Sequence, residues 1–322
     1  MERIQKTSGA FWRRVKAYIS TPTLIKRLLS RLVTYIILLS LAYVFLYPFL
    51  YMIVTSLKSN ADLYDPTVNW VPRTVKWENF SLVFSAIPFK TGIINSLVTT
   101  ILGTLGHVAS CSMIGYGMAR YEFKGQKILF FIMLLSIIIP TQAIIIPLYL
   151  TYSNLKWLNT FIPLIVPTFF GFGLRGGLFI FIFRQFFAGL PRELENAAKI
   201  DGCGFIKTFY RIVLPCSKSA FLVTGVLSMV WHWNDFYEPG LYASRPSLIT
   251  LTNSLQTLVP YLQSPAKLQQ LIVSMNATDS EVIINNAVFM AGTLMAILPI
   301  LVVFMILQRQ FMQGIERTGL VE

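Results

Sequence analysis

Two histidines, His107 and His232, and three cysteines, Cys111, Cys203 and Cys216, are all that the 322 residues offer to a soft metal or a disulfide framework. Neither histidine has a Cys or Glu near it at ligand spacing, so no metal site is expected and each is read as a hydrogen-bonded structural residue. The cysteines have no obvious partner and read as small apolar residues. The sequence also lacks a Gly-Lys dipeptide, which excludes the glycine-rich phosphate loop that an ATP-hydrolysing chain would need. No serine, cysteine or paired carboxylate stands at a catalytic spacing, so no catalytic residue is expected. Charged residues make up only 13% of the chain. The net charge of +13 is spread along it without a recognition motif, which argues against nucleic acid as a partner. No internal repeat and no low-complexity tract is present.

What the sequence has instead is apolar length. Hydrophobic residues make up 55% of it and the mean hydropathy is +0.62, the composition of a protein that crosses a membrane several times. Apolar runs at 32–57, 93–118, 128–150, 161–183, 213–233 and 282–307 are each long enough to span about 30 Å of hydrocarbon as helix. The expectation is an all-α polytopic membrane protein with about six spans. The fifth run is the least regular, because Ser217, Lys218 and Ser219 leave a clean apolar stretch only from Ala220. Residues 1–31 carry eight Lys or Arg interleaved with aromatic and aliphatic side chains, and no small-residue cleavage site follows a short apolar core. That segment is expected to lie as basic helix against membrane lipid.

Basic residues also set the orientation. With the N-terminus inside, the inner segments hold 18 Lys and Arg and the outer segments 7. Both termini, including the tail 308–322, are therefore expected in the cytoplasm, as is the stretch 184–211. The outer segments 58–92 and 234–281 are rich in Pro, Trp and turn residues and could receive a partner protein.

The longest inner polar stretch, 189–215, reads GLPRELENAAKIDGCGFIKTFYRIVLP. Pro191 suits a first helical turn, and Glu193 and Glu195 suit its positive end. Leu194, Ala197 and Ala198 share a face, Glu195 can pair with Lys199, and Gly202 can end the helix. Phe205, Phe209 and Ile212 then form a second apolar stripe, so 190–211 is expected to hold two short helices at the bilayer surface.

These residues resemble the cytoplasmic signature of ABC importer permeases: an EAA triplet, a glycine, then I-x-L-P, matched by Ala197, Ala198, Gly202, Ile212, Leu214 and Pro215. The signature glutamate falls on Asn196, with Glu195 just before it, so the charge of the family's residue is missing here. Asp201, the WNDF run at 233–236, and the tail residues Ala291, Leu298, Pro299, Gln308, Arg309 and Gly314 are similar to the carbohydrate, maltose-type branch and to its tailed second permease. The resemblance implies a transport subunit that is no enzyme, placed in a bacterial inner membrane and importing a sugar or oligosaccharide. Its implied partners are a second permease subunit, with a heterodimer favoured, two ATPase subunits carrying ATP and magnesium, and an extracytoplasmic solute-binding protein. It implies no cofactor on this chain. It further implies that Glu195, Asn196, Ala197, Ala198, Asp201 and Gly202 dock the ATPase.

An ion-coupled secondary transporter is the alternative, and it would show paired ionisable residues in matching halves. The sequence shows one charge deep in a run, Arg175, about fifteen residues into the fourth and roughly 4 to 5 Å past its middle as helix. A guanidinium there costs about 2.5 to 3.5 kcal/mol on insertion scales, so Arg175 is expected to face protein or a wet path through which solute passes. The glycines 171, 173, 176 and 177 leave room beside it.

Overall fold

The computed structural model describes residues 22–173, 175–264 and 285–319. The 1–21 part of the basic N-terminal segment, the 265–284 part of the second outer segment and the last three residues lie outside that range. The described residues are helical and contain no strand.

The helices that organise the fold are α1 (Pro22–Ser56), α2 (Phe89–Arg120), α3 (Gln126–Ile138), α4 (Thr141–Asn154), α5 (Gly176–Ala188), α6 (Arg192–Ile200), α7 (Phe205–Thr208), α8 (Lys218–Asn234) and α9 (Asn286–Gly319). Other short helices and turns lie between them, among them a nine-residue helix at Glu78–Ala86. By length and composition, α1, α2 and α9 can each cross a bilayer; α3 with α4, and the α7 segment with α8, are apolar enough as pairs but bent.

The centre is α2, and its amphipathicity runs opposite to that of a helix in a soluble protein. Its inward stripe is small and polar, with Gly92, Asn95, Ser96, Thr99, Gly103 and His107 buried at steps of three and four. Ile94, Leu97, Ile101, Leu105 and Met113 point outward. In lipid this arrangement is favourable, because tails solvate the aliphatic side and small residues let backbones approach. A Cβ on Gly115 would lie 2.7 Å from Phe183 Cβ and 3.0 Å from Arg184 N, so α2 and α5 touch nearly backbone to backbone. Side chains then close the polar account. Ser110 donates to Thr168 O at 2.6 Å, and Asn95 donates to Ser247 O and Ile249 O at 3.0 and 2.9 Å. Toward the C-terminal end of α2 an aromatic cluster of Tyr116, Phe183, Phe187 and Phe209 fills the space between helices.

Three apolar runs differ from straight spans. The third bends by 102° between α3 and α4, where Ile139 is extended ahead of Pro140, a residue that cannot donate to the helix. The fourth is broken: a helical turn at Ile162–Ile165 tightens into a 3-10 turn at Val166–Phe170, and α5 starts only at Gly176. Pro163 and Pro167 interrupt the hydrogen-bond ladder, and Gly171 and Gly173 take the left-handed φ of 71° and 105°. Arg175, at φ 62°, precedes α5 as its N-cap and is not within a helix, so the depth counted along a continuous helix does not apply. The fifth run bends by 82° at Ser217, behind Pro215.

The segment after α1 is held by its own polar groups. Lys58 Nζ donates to Val68 O at 2.7 Å, Asn79 Nδ2 donates to Ser56 O and Lys58 O, and Asp62 Oδ2 accepts from Arg73 N. Thr67 donates to Asp65 Oδ1 through both its backbone N–H and its hydroxyl, which with Arg73 holds that carboxyl below the usual carboxylate range.

Candidate functional site

Two places carry the residues singled out by sequence. The first is α6. Pro191 takes an extended ψ of 131° and leaves Arg192 to begin the helix; Glu193 and Glu195 occupy the first turn and Lys199 the last, as the helix dipole favours. Gly202, at φ 70°, ends it: Gly202 N donates to Lys199 O and Cys203 N to Ala198 O. This pair of bonds satisfies two terminal carbonyls and needs a left-handed residue between them.

The docking residues named from sequence do not share one face. Ala198 is 2% exposed and packs into the fold, whereas Asn196, Ala197, Lys199, Asp201 and Gly202 are exposed. Glu195, expected on the docking face and in reach of Lys199, instead turns inward to Arg120 at the last position of α2. Their Nε–Oε1 distance is 2.9 Å, with side chains 4% and 10% exposed. The contact is ionic without the alignment of a hydrogen bond, since neither atom finds a well-directed partner. Arg120 Nη2 meanwhile donates to Leu190 O, ahead of α6. Ile200, which sequence reading passed over, is 86% exposed at the end of this helix, and Ile206 in α7 is exposed as well. After α7 the chain makes a π-helical turn, Phe209–Val213, in which Phe209 is buried against Tyr116, with ring centroids 5.3 Å apart. Tyr116 and Tyr121 also contact Phe205, so the C-terminal end of α2 holds both α7 and the π-helical turn after it.

The second place is a cavity of roughly 160 Å³ at the break in the fourth run. Arg175, Tyr152, His232, Glu238 and Tyr242 supply its polar wall, and the 171–177 glycines its floor. The Arg175 side chain is exposed to this space, and its guanidinium carbon lies 5.7 Å from the centre of the Trp231 ring, a cation–π distance. Among the described residues no carboxylate comes within 4 Å of it. A Cβ on Gly176 would lie 2.2 Å from Gly171 O, so the turn that presents Arg175 closes only because that position has no side chain.

Behind the cavity, His107 Nδ1 and His232 Nε2 lie 3.1 Å apart, with Ser228 Oγ 3.4 Å from the same Nδ1. Sequence reading treated the two histidines separately, and their pairing had no signal in spacing. Arg120 was legible only as one basic residue in a count.

The described residues hold no cluster of three or more metal-ligating side chains. Residues 112–317 match the family model for the inner membrane component of binding-protein-dependent transport systems. The chain is 29% identical over 293 residues to the arabinooligosaccharides transport system permease protein AraQ of Bacillus subtilis, covering 89% of this chain and 94% of that protein. It is 27% identical to the lactose transport system permease protein LacG of Rhizobium radiobacter, over 91% of this chain and 97% of the other. It is 25% identical to the sn-glycerol-3-phosphate transport system permease protein UgpE of Yersinia pestis, over 84% and 90%. In structure it resembles a chain of a bacterial ABC transporter that imports the acidic polysaccharide alginate, with a TM-score of 0.74, 20% identity and coverage of 88% and 96%.

Proposed function

The chain belongs to the family of binding-protein-dependent transport system inner membrane components, and from that premise we propose that it carries a sugar or oligosaccharide inward, driven by a separate ATPase seated on the exposed side of α6. It is a membrane-embedded ABC importer permease, a transport component whose relatives are ABC permeases and not ion-coupled carriers. The proposal concerns cargo, partners and contacts.

The observation that carries it is the outward side of the α6 turn. Asn196, Ala197, Lys199, Asp201 and Gly202 are exposed there, and a Cβ on Gly202 would meet nothing within 4 Å. Ile200 on the same helix is 86% exposed and adds apolar area that a docked ATPase would cover. The full assembly would hold a second, different permease subunit, two ATPase subunits binding ATP and magnesium, and an extracytoplasmic solute-binding protein. The excess of basic residues in 184–211 and at both ends supports a cytoplasmic placement for them, with six apolar runs between. The oligosaccharide and lactose permeases among the relatives support the sugar class. Arg175, stacked near Trp231 in a cavity with two tyrosines, supports a polyhydroxylated or anionic solute on the path.

The purified chain should hydrolyse no ATP until its ATPase partner is added, and a Lys199→Cys variant in sealed cells should react only with a permeant thiol reagent. Hydrolysis by the chain alone, or labelling by an impermeant reagent from outside, would refute the proposal.

A further inference from the structure

The Arg120–Glu195 pair joins the last residue of the central helix to the first turn of the proposed docking helix. Arg120 Nε faces Glu195 Oε1, and Nη2 donates to Leu190 O, two residues before α6 begins. Two anchors five residues apart fix both the position of α6 and its rotation about its own axis, which one contact would not do. Both side chains are almost fully withdrawn from solvent. A buried ion pair of this kind adds little net stability over an apolar pair of the same shape, because desolvation offsets the attraction. What it gives that an apolar contact lacks is a registry, since the rigid guanidinium reaches Leu190 O with Nη2 while its Nε faces Glu195.

The other end of the connection is equally built. From Arg120 outward, α2 is wedged against α5 at Gly115, donates through Ser110 to Thr168 O beneath the glycine turn, and carries His107 against His232 in the cavity wall. A displacement of α6 that α2 follows therefore reaches the cavity through contacts with little slack.

We propose that Arg120 is the positioning residue that makes α6 and α2 move as one body, so that a shift of the docked ATPase is delivered to the cavity rather than absorbed at the inner end of α2. This rests on the reading of α6 as the docking helix.

The test uses the assembled permease pair with its ATPase in lipid nanodiscs, with Cys203 and Cys216 replaced by serine and spin labels at Leu105→Cys and Arg192→Cys, two exposed positions on α2 and α6. With Arg120 intact, the distance between the labels should stay within about 1 Å of its resting value when ATP and vanadate trap the ATPase, less than the helix shifts of about 1–2 Å usual in such transitions. In Arg120→Gln it should change by more than that on trapping, with the ATPase still bound. Arg120→Lys keeps a cation with donors for both Glu195 and Leu190 O and should lock the distance again. A distance as constant in Arg120→Gln as in the unsubstituted protein would overturn the proposal, and so would a shift on trapping when Arg120 is intact. If Arg120→Gln fails to assemble, Glu195→Gln, which removes the charge of that anchor, decides: a distance that shifts on trapping supports the link and a locked one refutes it. Failure of the ATPase to co-purify even with unsubstituted permease would instead refute the docking assignment.

Discussion

His107 Nδ1 lies 3.1 Å from His232 Nε2, across two helices and 125 residues of sequence. Only one of the facing nitrogens can carry the shared proton, and two charged rings at that separation would repel. The contact exists because Gly103 has no side chain: a Cβ there would lie 2.7 Å from the His232 ring. His232→Leu leaves a buried imidazole with one partner fewer, which should destabilise the protein by about 1–3 kcal/mol. Adding His107→Leu should recover part of that loss. Thermal unfolding in detergent of the two single variants and the double variant gives the coupling directly; strictly additive losses would show that the rings do not depend on each other.

The neighbouring alanines of α6 should fail in different ways. Ala198→Glu places a carboxylate where the chain packs on itself and should lower the yield of folded permease, since a buried unpaired charge costs several kcal/mol. Ala197→Glu projects from the exposed side, so folding should survive while the ATPase is lost. Size-exclusion profiles of the permease, run beside co-purification of the ATPase, separate these outcomes. The same profile for both variants would mean that burial does not divide their roles.

Asn196 points outward while its neighbour Glu195 is occupied by Arg120, so Glu195 is not placed to replace the missing family charge. Asn196→Glu should therefore dock the ATPase as well as the unsubstituted protein or better, with the gain weakening as salt rises. Affinity measured at two ionic strengths checks this. Loss of binding would indicate a partner surface that rejects a carboxylate.

Arg175→Gln keeps a polar side chain in the cavity but removes the charge and the planar fork. Assembly should be normal while the rate or selectivity of uptake changes, by roughly the 5- to 150-fold that 1–3 kcal/mol of lost interaction represents. Uptake assays with a neutral and an acidic oligosaccharide side by side give the readout; unchanged rates for both would assign Arg175 a structural role.

Hydropathy and charge placement were enough to read from sequence an all-helical membrane protein, because lipid demands long apolar runs with internally paired backbones and the sequence supplies them. The helix at Arg192–Ile200 was equally legible, since Pro191, the early glutamates and Gly202 are local signals that act within one turn. The break before Gly176 was only half legible: its glycines and prolines were visible, but an apolar run of sufficient length looks the same whether it is straight or folded back. What tertiary structure alone decided is which groups meet. Glu195 had a partner available at Lys199 four residues away, yet it is buried against Arg120 because packing of α6 against the C-terminal end of α2 turns that side of the helix toward the protein. His107 and His232 meet for the same kind of reason: the register of two helices, set by the close approach at Gly103, is written in no interval along the chain.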